Sequence, residues 1–125
     1  MNILFIGAGY MGMERLKSLY NLKKIHKIKK LYFYDPGIKS FKFKTFKVEK
    51  IKKFSEKILA LKEINLCIIS TPHNLLKKFS LICLKTRNPI ILILEKPFGI
   101  NFKESTEIVK KIKKKQKVFI ALNYR

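Results

Sequence analysis

Three glycines near the amino terminus, Gly7-x-Gly9-x-x-Gly12, follow the short apolar run NILFI and precede a segment of helical periodicity. A turn of this kind can carry anion chemistry. The first glycine permits a tight bend, the second lets a phosphate approach the backbone, and the third lets helix and strand pack closely. The free N–H groups of Tyr10, Met11 and Gly12 at the helix start, with the positive end of its dipole, would then face the phosphates. Glycine triplets also recur by chance, and a strand ending at an incidental bend is the competing reading. A carboxylate helps to separate the two. Asp35 stands 23 residues beyond Gly12, near the spacing of roughly 20 at which an acid accepts hydrogen bonds from an adenosine ribose and repels a 2′-phosphate. Lys39 and Lys42 nearby soften that preference for NAD(H) over NADP(H).

The elements that must position these residues follow from the hydrophobic pattern. Apolar runs at 3–6, 31–35, 66–70, 90–94 and 118–122 read as buried strands, because both faces of a parallel sheet are covered. Between them, 11–22, 51–61, 75–84 and 103–114 carry apolar residues at helical spacing. The alternating FKFKTFKV (41–48) reads as a short strand near a sheet edge. Strands alternating with helices imply parallel pairing through helical crossovers. The expected fold is therefore α/β, a doubly wound parallel sheet of strand order 3-2-1-4-5-6, with residues 1–125 forming one domain.

Composition narrows the function classes. No apolar run approaches the length of a membrane span, and the start lacks the basic flank of a secretory signal. A cytoplasmic protein without membrane partners is expected. Cys67 and Cys83 lie in apolar stretches and read as buried thiols. The net charge of +21 invites a nucleic-acid reading. Of the 29 basic residues, however, only Arg15, Arg87 and Arg125 are arginine, the residue that reads bases and phosphates in bidentate fashion. Lysines run from residue 17 to 117, and Ile, Asn, Phe and Tyr are also abundant, as an A/T-rich coding sequence would produce. Specific nucleic-acid binding is not expected.

Three further stretches fall at the carboxyl ends of expected strands: STPHNLL (70–76), EKPFG (95–99) and NYR (123–125). In this order and spacing, behind the glycine turn, they resemble the Gfo/Idh/MocA family of oxidoreductases, specifically its amino-terminal Rossmann domain, over essentially the whole chain. The resemblance implies a nicotinamide cofactor, NAD(H) preferred and NADP(H) second, and hydride transfer to or from a hydroxyl carbon of a sugar, nucleotide sugar or polyol. Carried over by position, Ser70, Thr71 and Pro72 would shape the loop against nicotinamide ribose and pyrophosphate. Glu95 would bind cofactor ribose or neighbouring backbone. Lys96 would be the catalytic residue, its ammonium stabilising an alkoxide as hydride leaves, and Asn123 and Arg125 would close the cofactor site.

Two departures stand out. The family's TPxxxH pattern is broken, with His73 and Leu76 in its place, so His73 reads as an exposed or capping residue rather than a catalytic base. The resemblance implies a second domain beyond Arg125 that supplies substrate contacts, an oligomer interface and an acid/base histidine. The expectation is that the chain is a fragment, that its gene was shortened, or that a separate chain supplies the rest. No metal site is expected. A non-catalytic NAD(H)-binding scaffold is the main rival, against which the Glu95-Lys96-Pro97 stretch counts.

Overall fold

The computed structural model of the chain describes residues 1–22, 28–40, 42–43 and 46–121. Its elements are β1 (Asn2–Ile6), α1 (Tyr10–Leu22), β2 (Lys30–Tyr34), β3 (Lys42–Phe43), β4 (Phe46–Lys50), α2 (Glu56–Leu61), β5 (Ile64–Ile69), α3 (His73–Lys85), β6 (Ile91–Glu95), α4 (Phe102–Lys110) and β7 (Lys117–Ala121). The sheet runs β3-β4-β2-β1-β5-β6-β7. All neighbours pair in parallel except β3 with β4. Six parallel strands in the order 3-2-1-4-5-6 thus make the expected Rossmann sheet, with the short β3 added at the edge. The alternating stretch 41–48 supplies both β3 and the first part of β4, paired antiparallel through Phe43 and Phe46.

The period of two along β1 sorts its residues onto two faces. Leu4 and Ile6 join Leu59 of α2, Leu76 and Phe79 of α3 and Ile108 of α4. Ile3 and Phe5 face the other way, against Leu16 of α1. Three helices therefore cover one face. Among the described residues α1 is the helix on the other, where Ile91 of β6 and Phe119 of β7 stay exposed, the latter by 55%. Lys77 of α3 donates to Glu107 of α4 at 2.6 Å, and that hydrogen bond holds the Glu107 carboxyl below its usual range.

Two helices are shorter than their periodicity implies. The apolar positions 51, 54, 58 and 61 do not share one helix face. Ile51 extends the sheet, its N–H donating to the Phe33 carbonyl at 2.8 Å. Phe54 packs its ring at a tilt against Tyr34 and Phe79, and Leu61 is exposed. Only the segment after Ser55 forms α2. Helix α4 stops at Lys110 because the next two N–H groups, from Lys111 and Ile112, reach back three residues and tighten the last turn.

Leu92 of β6 is wholly buried between layers. Leu92→Ala should lower unfolding free energy by about 2–5 kcal/mol, whereas Phe119→Ala on the open face should change it by less than about 1 kcal/mol. Guanidinium unfolding of both variants checks the contrast.

Candidate functional site

In a doubly wound sheet the ligand crevice lies where the strand order reverses, outside the carboxyl ends of the strands. Here that point is between β1 and β5, and the glycine turn sits on it. The Gly7 N–H donates to the Tyr34 carbonyl at 3.0 Å, and the Ser70 N–H donates to the Ile6 carbonyl at 2.8 Å. These bonds fasten the turn between the ends of β2 and β5. Gly7 has φ +85°, and a Cβ on it would lie 2.5 Å from the Ser70 carbonyl oxygen. A Cβ on Gly12 would lie 2.4 Å from the Gly7 carbonyl oxygen. Both positions exclude any side chain. Gly9 differs, because a Cβ there would meet nothing within 4 Å. Its backbone faces open space at the start of α1, where Tyr10 is exposed, Met11 is half-buried and the first turn carries no acid.

Asp35 stands at the end of β2. Its Oδ2 accepts from the Ala8 N–H at 2.9 Å and its Oδ1 from the Gly37 N–H at 2.8 Å. The carboxylate thus ties the glycine turn to β2, a role not visible in sequence spacing. Each oxygen keeps a second lone pair for a ribose hydroxyl. Across the crevice the hydroxyls of Ser70 and Thr71 are buried, with no hydrogen-bond partner among the described residues. Buried polar atoms are rarely left so. Pro72 follows, exposed, at the N-cap of α3. An open backbone at a helix start, two orphaned hydroxyls and a carboxylate with spare lone pairs fit a dinucleotide lying across the switch point.

Glu95 and Lys96 arrive at the same end of the sheet on β6. Glu95 is engaged by a residue that sequence reasoning did not single out. Arg15 of α1 donates from Nε to Oε1 at 2.8 Å and from Nη2 to Oε2 at 3.2 Å, with the two side chains 26% and 11% exposed. The signal was present, since Arg15 lies one turn beyond Gly12, but nothing local reveals a partner 80 residues away. Lys96 is exposed, precedes Pro97 through a cis peptide bond, and makes no hydrogen bond or ion pair among the described residues. His73 is exposed at the start of α3 and Leu76 is fully buried, so the core takes the position where the family pattern carries histidine. Asn123 and Arg125 lie outside the described residues. Burial pushes the Cys67 thiol well up, as befits an inert core thiol. Among the described residues no group of three His, Cys, Asp or Glu is placed to hold a metal ion, and no helix is long and apolar enough to cross a membrane.

Residues 1–124 match the oxidoreductase family whose described fold is the NAD-binding Rossmann fold, Gfo/Idh/MocA. The chain belongs to the Gfo/Idh/MocA family. It is an NAD-binding oxidoreductase domain of that family. Solved structures share its fold. An NAD-binding oxidoreductase from Klebsiella pneumoniae superposes with a TM-score of 0.75 at 15% identity, over 97% of this chain and 34% of that one. The WlbA dehydrogenase from Chromobacterium violaceum, solved with NADH and UDP-GlcNAcA, gives 0.76 at 16% identity, over 97% and 34%. A myo-inositol 2-dehydrogenase from Lactobacillus plantarum gives 0.76 at 20% identity, over 97% and 36%. The chain spans about a third of the length of these relatives. No curated protein sequence matches it.

The Arg15–Glu95 pair generates a test. Arg15→Met leaves the Glu95 carboxylate buried without its partner, which should lower stability by about 2–4 kcal/mol. Adding Glu95→Gln should restore part of the loss, read as coupling in a double-mutant cycle of guanidinium unfolding.

Proposed function

We propose that this Gfo/Idh/MocA domain binds NAD(H) in preference to NADP(H). Completed by a second domain, it would catalyse oxidation or reduction at a hydroxyl carbon of a sugar, nucleotide sugar or polyol. The observation that carries this reading is Lys96, an unpartnered ammonium at the carboxyl end of β6, on the same end of the sheet as the glycine turn. When bound, the nicotinamide supplies the hydride acceptor or donor. The glycine turn and the first N–H groups of α1 hold the pyrophosphate, and the hydroxyls of Ser70 and Thr71 gain the partners they lack. Lys96 would donate a hydrogen bond to the substrate oxygen and stabilise the negative charge that builds there as the hydroxyl proton leaves for a base of the second domain.

The substrate class rests on relatives, one solved with UDP-GlcNAcA and another a myo-inositol dehydrogenase. Two observations support a further domain, joined or separate. The chain covers about a third of its relatives, and the β6–β7 face around Ile91 and Phe119 is apolar and open. The same open face favours self-association of the domain alone.

Isothermal titration should show NADH binding at least about tenfold tighter than NADPH, a difference of about 1.4 kcal/mol. Asp35→Asn should narrow that gap by removing the charge opposed to a 2′-phosphate. Equal or reversed affinities in the unsubstituted domain would overturn the role given to Asp35. The domain alone should bind NADH while turning over sugars negligibly, because positioning and a proton acceptor depend on the second domain. In the assembled enzyme, Lys96→Ala should lower kcat by about 100-fold or more while shifting NADH affinity less than about threefold. Unchanged turnover would remove Lys96 from the mechanism.

A further inference from the structure

The amino ends of β6 and β7 form the edge of the sheet opposite the glycine turn, and the fold gathers cations there. Lys85 and Arg87 leave the end of α3 ahead of β6. Lys110 and Lys111 close α4, and Lys114, Lys115 and Lys117 lead into β7. All seven are exposed, and none makes an ion pair among the described residues. Residues 84–94 and 108–121 contain no Asp or Glu. Among the described residues, acids near this end of the sheet include Glu63, ahead of β5, and Glu107, one turn before the end of α4, which feels the charge of Lys110. Lysines that look scattered along the sequence are therefore concentrated by the crossovers.

The loops that carry these cations are built rather than loose. Gln116 is buried, and its Nε2 donates to the Leu84 carbonyl at 3.2 Å and the Thr86 carbonyl at 3.1 Å. Its Oε1 accepts from the Lys113 N–H at 3.0 Å. The Lys113 ammonium donates to the carbonyls of Lys85 and Thr86, each at 3.0 Å, completing the end of α3. These bonds lock the loop before β7 onto the loop before β6. Between them lies an open cavity of about 450 Å³ lined by Arg87, Lys113, Lys114, Lys115 and Gln116. We propose that this pole is a docking surface for the phosphodiester backbone of RNA or DNA, independent of base sequence and of the nicotinamide site.

The chemistry favours a nucleic-acid backbone over an anionic bilayer. Stable attachment to a bilayer needs a group of apolar side chains that insert beside the cations. Val109 and Ile91 are exposed beside Lys110 and Lys117, but the cavity itself is lined by Arg87, Lys113, Lys114, Lys115 and Gln116 and by no apolar residue. Lysines without carboxylate partners on a fixed frame suit a string of phosphates, bound through counterion release. Arginine scarcity at the pole agrees with backbone contact without base reading.

Fluorescence anisotropy of a labelled oligouridine of about 20 nucleotides, titrated with the intact chain between about 50 and 200 mM salt, tests the proposal. Replacing three cations by R87Q, K114Q and K115Q should weaken binding at least about tenfold at the lower salt. It should also reduce the log–log salt slope by about 2, at about 0.7 for each phosphate that is no longer neutralised. The control triple K52Q, K53Q and K57Q removes the same charge from the opposite end of the sheet and should cost less than about threefold. On the unsubstituted chain, bound oligouridine should protect Lys114 and Lys115, but not Lys52 and Lys53, from amine acetylation. A deoxythymidine oligonucleotide should bind comparably, and saturating NADH should not displace either strand. Equal losses in the two triples would mean that net charge alone acts and would overturn the proposal. So would displacement by NADH, or tighter binding at about 150 mM salt to vesicles of phosphatidylserine and phosphatidylcholine than to oligouridine.

Discussion

The turn between β1 and α1 has no room for a side chain at Gly7, nor the first turn of α1 at Gly12, and the rest of the site depends on that. A Cβ at either Gly7 or Gly12 would fall within about 2.5 Å of a backbone carbonyl oxygen, a distance that backbone shifts alone could relieve. The absence of side chains brings the start of α1 against the ends of β1 and β5. The closeness in turn sets where the helix N–H groups point, how near Asp35 comes to Ala8, and where the Ser70 and Thr71 hydroxyls are enclosed. Gly9, facing space rather than backbone, marks the direction from which a phosphate can approach.

A second constraint joins the two halves of the sheet. The bidentate Arg15–Glu95 pair runs from the helix that follows the glycine turn to the strand that ends in Lys96. One half of the crevice holds the anion-binding turn and the other presents the ammonium, so a fixed link between them bears on both. Charge-assisted forks of this type are directional as well as strong. The pair ties the end of β6, which Lys96 follows, to α1.

Charge is partitioned along the strand direction. At the carboxyl ends, Asp35 and Glu95 are held by backbone N–H groups and by Arg15, leaving Lys96 free among satisfied neighbours. At the amino ends of β6 and β7 the seven cations face solvent and form no ion pair among the described residues. A parallel sheet makes this division natural, because every crossover returns its loop to the same edge.

Much of this was legible in the sequence. The alternation of apolar runs with helical stripes determines a parallel α/β sheet, and Gly7, Gly9 and Gly12 mark a tight turn after β1 with Asp35 at the end of β2, because both depend on local periods and short spacings. The boundaries of α2 and α4 were less legible. Ile51 and Phe54 fit a helical stripe, yet a ladder bond to Phe33 and an aromatic cluster with Tyr34 and Phe79 claim them. The partner of Glu95, the backbone duty of Asp35 and the gathering of Lys85, Arg87 and the 110–117 lysines at one edge were decided only by tertiary structure. Each joins residues distant in sequence, or depends on which sheet end a loop occupies. Local periodicity carries no information about such contacts, since they are fixed by the order in which strands are laid down across the sheet.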